Sequence, residues 1–248
     1  MQFSCARRCS FGLTTLLVGA LTAPVTGQTW IQFGSDGTWY AADNVPARAP
    51  GVAVPAYDAT SLDVLFELPG VSLEPATYDG EEFVRVSCPQ APLAGTIGAA
   101  GLPVIRRLFT VPQDAAVAVT VWEQAPVVVD LRAAGFALAV LPMRAPLSLI
   151  NSSALDGVYP FDAAAYATDG FAPTERVVIR KLGELRHRDL YLLEARPVAY
   201  NPAAGLLVAW PHLDVRLNFS GGRNLTGLRT ASGMLAATLN PPPGACGP

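Results

Sequence analysis

Along most of this chain apolar residues recur at every second position, which is the spacing of a strand with one buried face. Leu62, Val64, Phe66 and Leu68 alternate with Ser61, Asp63 and Glu67. Val84, Val86 and Cys88 alternate with Arg85 and Ser87, and Val117, Val119 and Val121 alternate with smaller or polar residues. Val127-Val128-Val129 and Phe136 to Leu141 are apolar throughout, as strands buried on both faces are. Val177-Val178-Ile179 and Tyr191-Leu192-Leu193 add two further apolar runs. The most regular segment is the last: Leu213, Val215, Leu217 and Phe219 point one way, and His212, Asp214, Arg216 and Asn218 the other.

Turn formers separate these runs at Leu68-Pro69-Gly70, Tyr78-Asp79-Gly80, Leu141-Pro142, Tyr159-Pro160 and Asn201-Pro202. No long segment carries an apolar stripe at helical spacing, and Ala163 to Ala167 predicts a helical turn at most. Many short strands with frequent turns predict an all-β protein, an antiparallel β-sandwich with few or no long helices. The sandwich is expected over residues 28–222 as one domain. Small residues, a proline triplet and a glycine-rich end mark 223–248 as a flexible tail or linker.

Composition changes this picture only at the start of the chain. Hydrophobic residues make up 51% and charged residues 15% of the 248, enough apolar material for a sizeable core. A net charge of −3 leaves no basic footprint for nucleic acid. Arg7 and Arg8 precede an apolar stretch from Phe11 to Ala23, and Val25-Thr26-Gly27 supplies small residues before Gln28. Residues 1–27 therefore read as a signal peptide, too short and too broken for a membrane span. The mature chain is expected in a secreted, periplasmic or extracellular setting. There Cys88 and Cys246 form a candidate disulfide, since Cys5 and Cys9 leave with the leader.

Candidate chemistry is sparse. Cys88 shares a face with Val84 and Val86, so it reads as buried and inert, and Cys246 lies too near the end for a rigid catalytic site. His212 sits on the polar face of its strand, and His187 lies in the charged run Arg186-His187-Arg188-Asp189. Neither is spaced with other ligands as a zinc site requires, no acidic loop has calcium spacing, and no cofactor site is legible. Trp30, Trp39, Tyr40, Trp122 and Trp210 are a candidate sugar platform, against the commoner use of aromatics as packing. No catalytic residue is assigned.

Two blocks carry a family resemblance. The first is "GAAGLPVIRRLFTVPQDAAVAVTV", from Gly98 to Val121. The second runs through "YPFDAAAY" to "ERVVIRKLGELRHRDLYLLEARPVAYNPAAGLLVAWPHLDVRLNFSGG". Its turn, Pro197, Tyr200-Asn201-Pro202 and Gly205, precedes the alternating strand Leu213 to Phe219. Together they resemble the N-terminal propeptide of gingipain-type cysteine peptidases, over roughly residues 30 to 240. The resemblance implies a jelly-roll-like sandwich that chaperones a cysteine peptidase catalytic domain and keeps it latent by blocking its cleft. It also implies a basic loop residue that enters the specificity pocket. Arg144, in "VLPMRAPLS", is the nominee, against a plain surface arginine.

The chain departs from that pattern in two places. Arg186-His187 stands where the family has Arg-Gly. The sequence also closes where the resemblance places the start of a catalytic domain. The expectation is a piece of a longer precursor, a free-standing relative acting on a separate peptidase, or a sandwich reused as an extracellular binding or adhesion module.

Overall fold

The structure, a computed structural model, describes residues 27–34, 36–42, 45–136, 139–144 and 160–223. The expected leader, save Gly27, and the expected tail, save Arg223, lie outside the described residues. In chain order the strands are β1 (Thr29–Phe33), β2 (Trp39–Ala42), β3 (Gly51–Tyr57), β4 (Ser61–Glu67), β5 (Gly70–Tyr78) and β6 (Glu81–Ser87). There follow β7 (Leu93–Ala94), β8 (Leu102–Pro103), β9 (Ile105–Pro112), β10 (Ala116–Glu123) and β11 (Val127–Asp130). A single helical turn, α1 (Ala163–Tyr166), precedes β12 (Val177–Glu184), β13 (Arg188–Ala195), β14 (Val198–Asn201), β15 (Leu206–Ala209) and β16 (His212–Ser220). The fold is an all-β, antiparallel sandwich, as its period-two patterning requires.

The strands pair as β2-β1-β5-β6, β10-β16-β4-β3, β11-β15-β14 and β12-β13-β9, with a short β7-β8 pair. Two hydrophobic cores lie between these layers. The first gathers Ile31, Leu73, Val86, Val129, Tyr200 and Leu207, from the β2-β1-β5-β6 and β11-β15-β14 sheets. The second gathers Leu62, Phe66, Phe109, Leu193, Val215 and Leu217, from the β10-β16-β4-β3 and β12-β13-β9 sheets. Phe109 of the second core stacks on the half-buried Tyr191 with ring centroids 5.4 Å apart.

Prolines mark the corners between the layers. The chain leaves β4 through Leu68-Pro69 and enters β5 in the other core's sheet. It crosses again between β13 and β14 at Arg196-Pro197, and between β15 and β16 at Trp210-Pro211. Proline has no N–H to continue a ladder, so a strand that reaches one is free to change sheets there. Backbone bonds pin the corners: the Trp210 N–H donates to Pro197 O at 2.8 Å, and Leu68 N–H to Pro211 O at 2.7 Å. Leu68-Pro69-Gly70, expected as a turn, is thus a corner between sheets.

Two runs expected as strands buried on both faces are different. Val127 and Val129 are buried, but Val128 is 47% exposed, because β11 covers the first core from one side. Phe136 to Leu141 forms no strand in its described part. Leu131 to Gly135 is a turn, and Val140 makes a single parallel bridge to Val84. Val84 donates to Ala139 O and accepts from Leu141 N–H, so this segment covers the free edge of β6, and Pro142 then ends donation to it.

Candidate functional site

The nominated Arg144 closes a described stretch, and Pro160 opens the next. Both ends are held at Gly98. The Gly98 N–H donates to Met143 O at 3.0 Å, and the Gly98 carbonyl accepts from Asp162 N–H at 3.0 Å. Met143 N–H also donates to Ala99 O at 2.7 Å, so the backbone before Arg144 is bonded on both sides. Gly98 has φ +89°, and a Cβ there would lie 3.2 Å from Asp162 atoms and 3.3 Å from Pro160 O. Only glycine suits that combination of positive φ and close approach.

Arg144 itself is half-buried. Around the Gly98 clamp, Ile97 and Phe161 are 50% and 54% exposed. Phe161 stacks on Tyr166 at 4.5 Å, and the Tyr166 hydroxyl donates to Val140 O. Burial raises the Tyr166 pKa, so this donor keeps its proton at any physiological pH. The Asp162 carboxylate accepts from Ala164 and Ala165 N–H and starts α1 as its N-cap.

Tyr200 and Pro202 of the signature turn line one cleft with Asp162 and Tyr166, and the turn joins β14 and β15 as a hairpin. Asn201 organises it. Its side-chain carbonyl accepts from Ala204 N–H at 3.2 Å, and its amide donates to Asp169 at 2.9 Å. Its backbone carbonyl accepts from Gly205 N–H at 2.9 Å, with Gly205 at φ +67°. Pro202 begins the reversal, while Tyr200 exchanges two backbone bonds with Ala172. The residues that carry the resemblance therefore shape the fold.

A second cluster was not legible in the sequence. Arg106 on β9 and Arg196 after β13 each direct Nε at the Glu194 carboxylate, at 2.8 and 2.9 Å. Burial alone would raise the Glu194 pKa, but the hydrogen bonds from both arginines outweigh it and hold the carboxyl below its usual range. Arg180 of β12 lines the same cleft, whose volume is about 640 Å³. Arg106, Arg180 and Glu194 are far apart in the chain, and only strand register brings them together.

The remaining sequence candidates disperse. Arg216 pairs with Asp63 on β4 through two bonds of 2.6 and 2.7 Å, and its guanidinium lies 5.9 Å from the Trp122 ring. That hydrogen bond lowers the Asp63 pKa. The polar row of β16 is thus a charged sheet face with neighbours on both flanking strands. His187 sits with Arg186 at the tip of the β12–β13 hairpin, both at positive φ. Such a two-residue loop normally uses glycine or asparagine. Trp30 and Trp210 are buried, Trp39 packs against the first core, and only Trp122 and Tyr40 are well exposed, so the aromatics form no shared platform.

Cys88 is a buried free thiol whose Sγ lies 3.6 Å from Arg48 O. Burial pushes its pKa up to about 11, the opposite of what a nucleophile needs. Its candidate partner Cys246 lies outside the described residues. Among the described residues no group of histidine, cysteine and acidic side chains could hold a metal ion, and no helix is long and apolar enough to cross a membrane.

Comparison with known proteins follows the same lines. Lys-gingipain of Porphyromonas gingivalis and its strain W83 form are each 29% identical to this chain over 160 residues. That match spans 64% of this chain but only 9% of those relatives' length. A structure addressing the zymogenic latency of gingipain K from the same organism superposes with a TM-score of 0.63 at 23% identity. It covers 79% of this chain and 100% of that one. A chain from a complex of the RgpB pro- and mature domains gives 0.61 at 17% identity, covering 73% and 93%. The Propeptide_C25 family matches residues 44–235. This chain therefore belongs to the Propeptide_C25 family, a family of gingipain-type propeptides and not of catalytic domains.

Proposed function

We propose that this chain is a latency module: it binds the catalytic domain of a gingipain-type cysteine endopeptidase, assists its folding and occludes its active-site cleft. The observation that carries this reading is the Gly98 clamp, which ties Met143 and Asp162 to one residue and so fixes the backbone that leads into Arg144. A rigid base is what an inhibitory element needs, because ordering a loose loop on binding costs affinity. The exposed Ile97 and Phe161 beside it supply apolar contact area for a partner. A standard interface of this kind buries on the order of 1,600 Å² in total. In this reading Arg144 enters the specificity pocket as a substrate-like cation, and the chain acts after export with its leader removed.

The test is an inhibition assay with the full chain and a purified gingipain-type catalytic domain, beginning with that of Lys-gingipain and including any encoded in the same genome. Saturable inhibition that Arg144→Glu weakens by tenfold or more supports the reading. Inhibition that Arg144→Ala and Arg144→Glu leave unchanged removes Arg144 from the mechanism. Failure to inhibit or to co-elute with any such domain overturns the latency module itself.

A further inference from the structure

The β12-β13-β9 sheet has one face on the second core, through Ile105, Phe109, Leu193 and Ala195. Its other face carries Arg106, Leu108, Leu192, Glu194 and Arg180, since residues opposite one another in the register share a face. Leu108 lies directly opposite Leu192, and neither belongs to either core. Leu190, on the same face, is also outside both cores, and Leu182 at its margin is 48% exposed. An apolar sheet face therefore continues into the cleft.

Arginines outnumber carboxylates in that cleft. Arg106, Arg180 and Arg196 line it with two carboxylates, Glu194 and Asp162. Asp162 is turned to the α1 N–H groups, and Glu194 is shared by Arg106 and Arg196. Arg180 has no carboxylate partner among the described residues. A chain of net charge −3 thus holds a local cationic cleft beside a row of half-buried leucines.

We propose that this cleft and the leucine face beside it receive an acidic, partly apolar segment of a partner polypeptide. Arginine suits the role, because its planar guanidinium retains donors for a second carboxylate after one is engaged. The leucines supply the area that a charge contact alone lacks. For the partner's identity this rests on the latency reading, in which the segment belongs to the catalytic domain; the chemistry itself is testable without a peptidase.

The experiment uses the full chain and a fluorescein-labelled peptide of alternating Glu and Leu, with Gln-Leu and Lys-Leu versions, read by fluorescence anisotropy. The Glu-Leu peptide is expected to bind most tightly, to weaken as salt rises, and to weaken about tenfold with Arg180→Glu. Arg180→Gln, which removes the charge without reversing it, is expected to fall between. Arg132→Glu, an exposed change in the turn after β11, is expected to leave binding unchanged. Equal binding of the Gln-Leu or Lys-Leu peptide overturns the proposal, as does an Arg180→Glu chain that binds like the parent. Peptide binding without peptidase inhibition leaves the cleft standing and removes the latency reading; inhibition without peptide binding does the reverse.

Discussion

Ala199 and Tyr200 are neighbours in β14, yet they face different cores. Tyr200 packs in the first with Leu207, and Ala199 in the second with Val208. Each pair also lies opposite in the β14–β15 register. The hairpin is a wall shared by both cores, which is why all four residues of β14 are buried.

Because one wall serves both cores, damage to it is expected to unfold the molecule as a unit. Tyr200→Ala removes one of the largest fully buried side chains and is expected to cost about 3–5 kcal/mol. Ala199→Leu overfills the other side and is expected to cost about 1–3 kcal/mol. Urea unfolding followed by tryptophan fluorescence and by circular dichroism checks this. Both variants should keep a single coincident transition at a lower midpoint, whereas separate transitions would mean the cores unfold independently.

Gly98→Ala tests the clamp. The residue sits at φ +89° against Asp162 and Pro160, so a methyl group there is expected to cost about 1–2 kcal/mol. Inhibition of a gingipain-type catalytic domain should weaken more than this stability loss accounts for, because the base of Arg144 is displaced. Gly80→Ala, also at positive φ but with open space around it, provides the comparison: a stability cost with unchanged inhibition.

Glu194 makes stability depend on pH with a defined sign. Its folded pKa is depressed, so its contribution is present above the usual carboxylate range and is lost as pH falls through the folded value. Arg196→Gln is expected to cost about 1–3 kcal/mol at neutral pH by removing one charged hydrogen bond to it. The gap between variant and parent should narrow as the solution is acidified toward that pKa. Denaturant midpoints across an acid series measure it, and a gap that stays constant would show that Glu194 is not the linked group.

Cys88 should be silent toward thiol reagents while the protein is folded. With a pKa of about 11 and a buried sulfur, only about one thiol in a thousand is ionised near pH 8. Iodoacetamide under reducing conditions, followed by peptide mass spectrometry, should label the Cys88 peptide slowly in buffer and fully in urea. Rapid labelling of the folded chain would contradict the burial and reopen Cys88 as a reactive group.

Much of this fold can be read locally. Leu213 to Phe219 alternates in sequence and alternates in burial, because successive side chains on a strand point to opposite faces whatever the partner strand is. The same holds for Leu62 to Phe66. The turn through Asn201-Pro202 to Gly205 is also local chemistry, a side-chain cap followed by a residue at positive φ. Val127-Val128-Val129 misleads because an apolar run does not report how many faces are covered. Leu68-Pro69-Gly70 misleads because the same residues serve a reversal or a corner.

The sequence by itself thus determined the all-β class, about half of the strands and the signature hairpin. These follow from side-chain periodicity and backbone preference, which act over a few residues. Only the tertiary structure decided that β14 divides two cores, that Gly98 holds both sides of the Arg144 segment, and that Arg106, Arg180 and Arg196 share one cleft around Glu194. Each of these depends on which strands pair and in what register. Register is settled by burial of the whole sheet at once, a long-range competition that no short stretch of sequence contains.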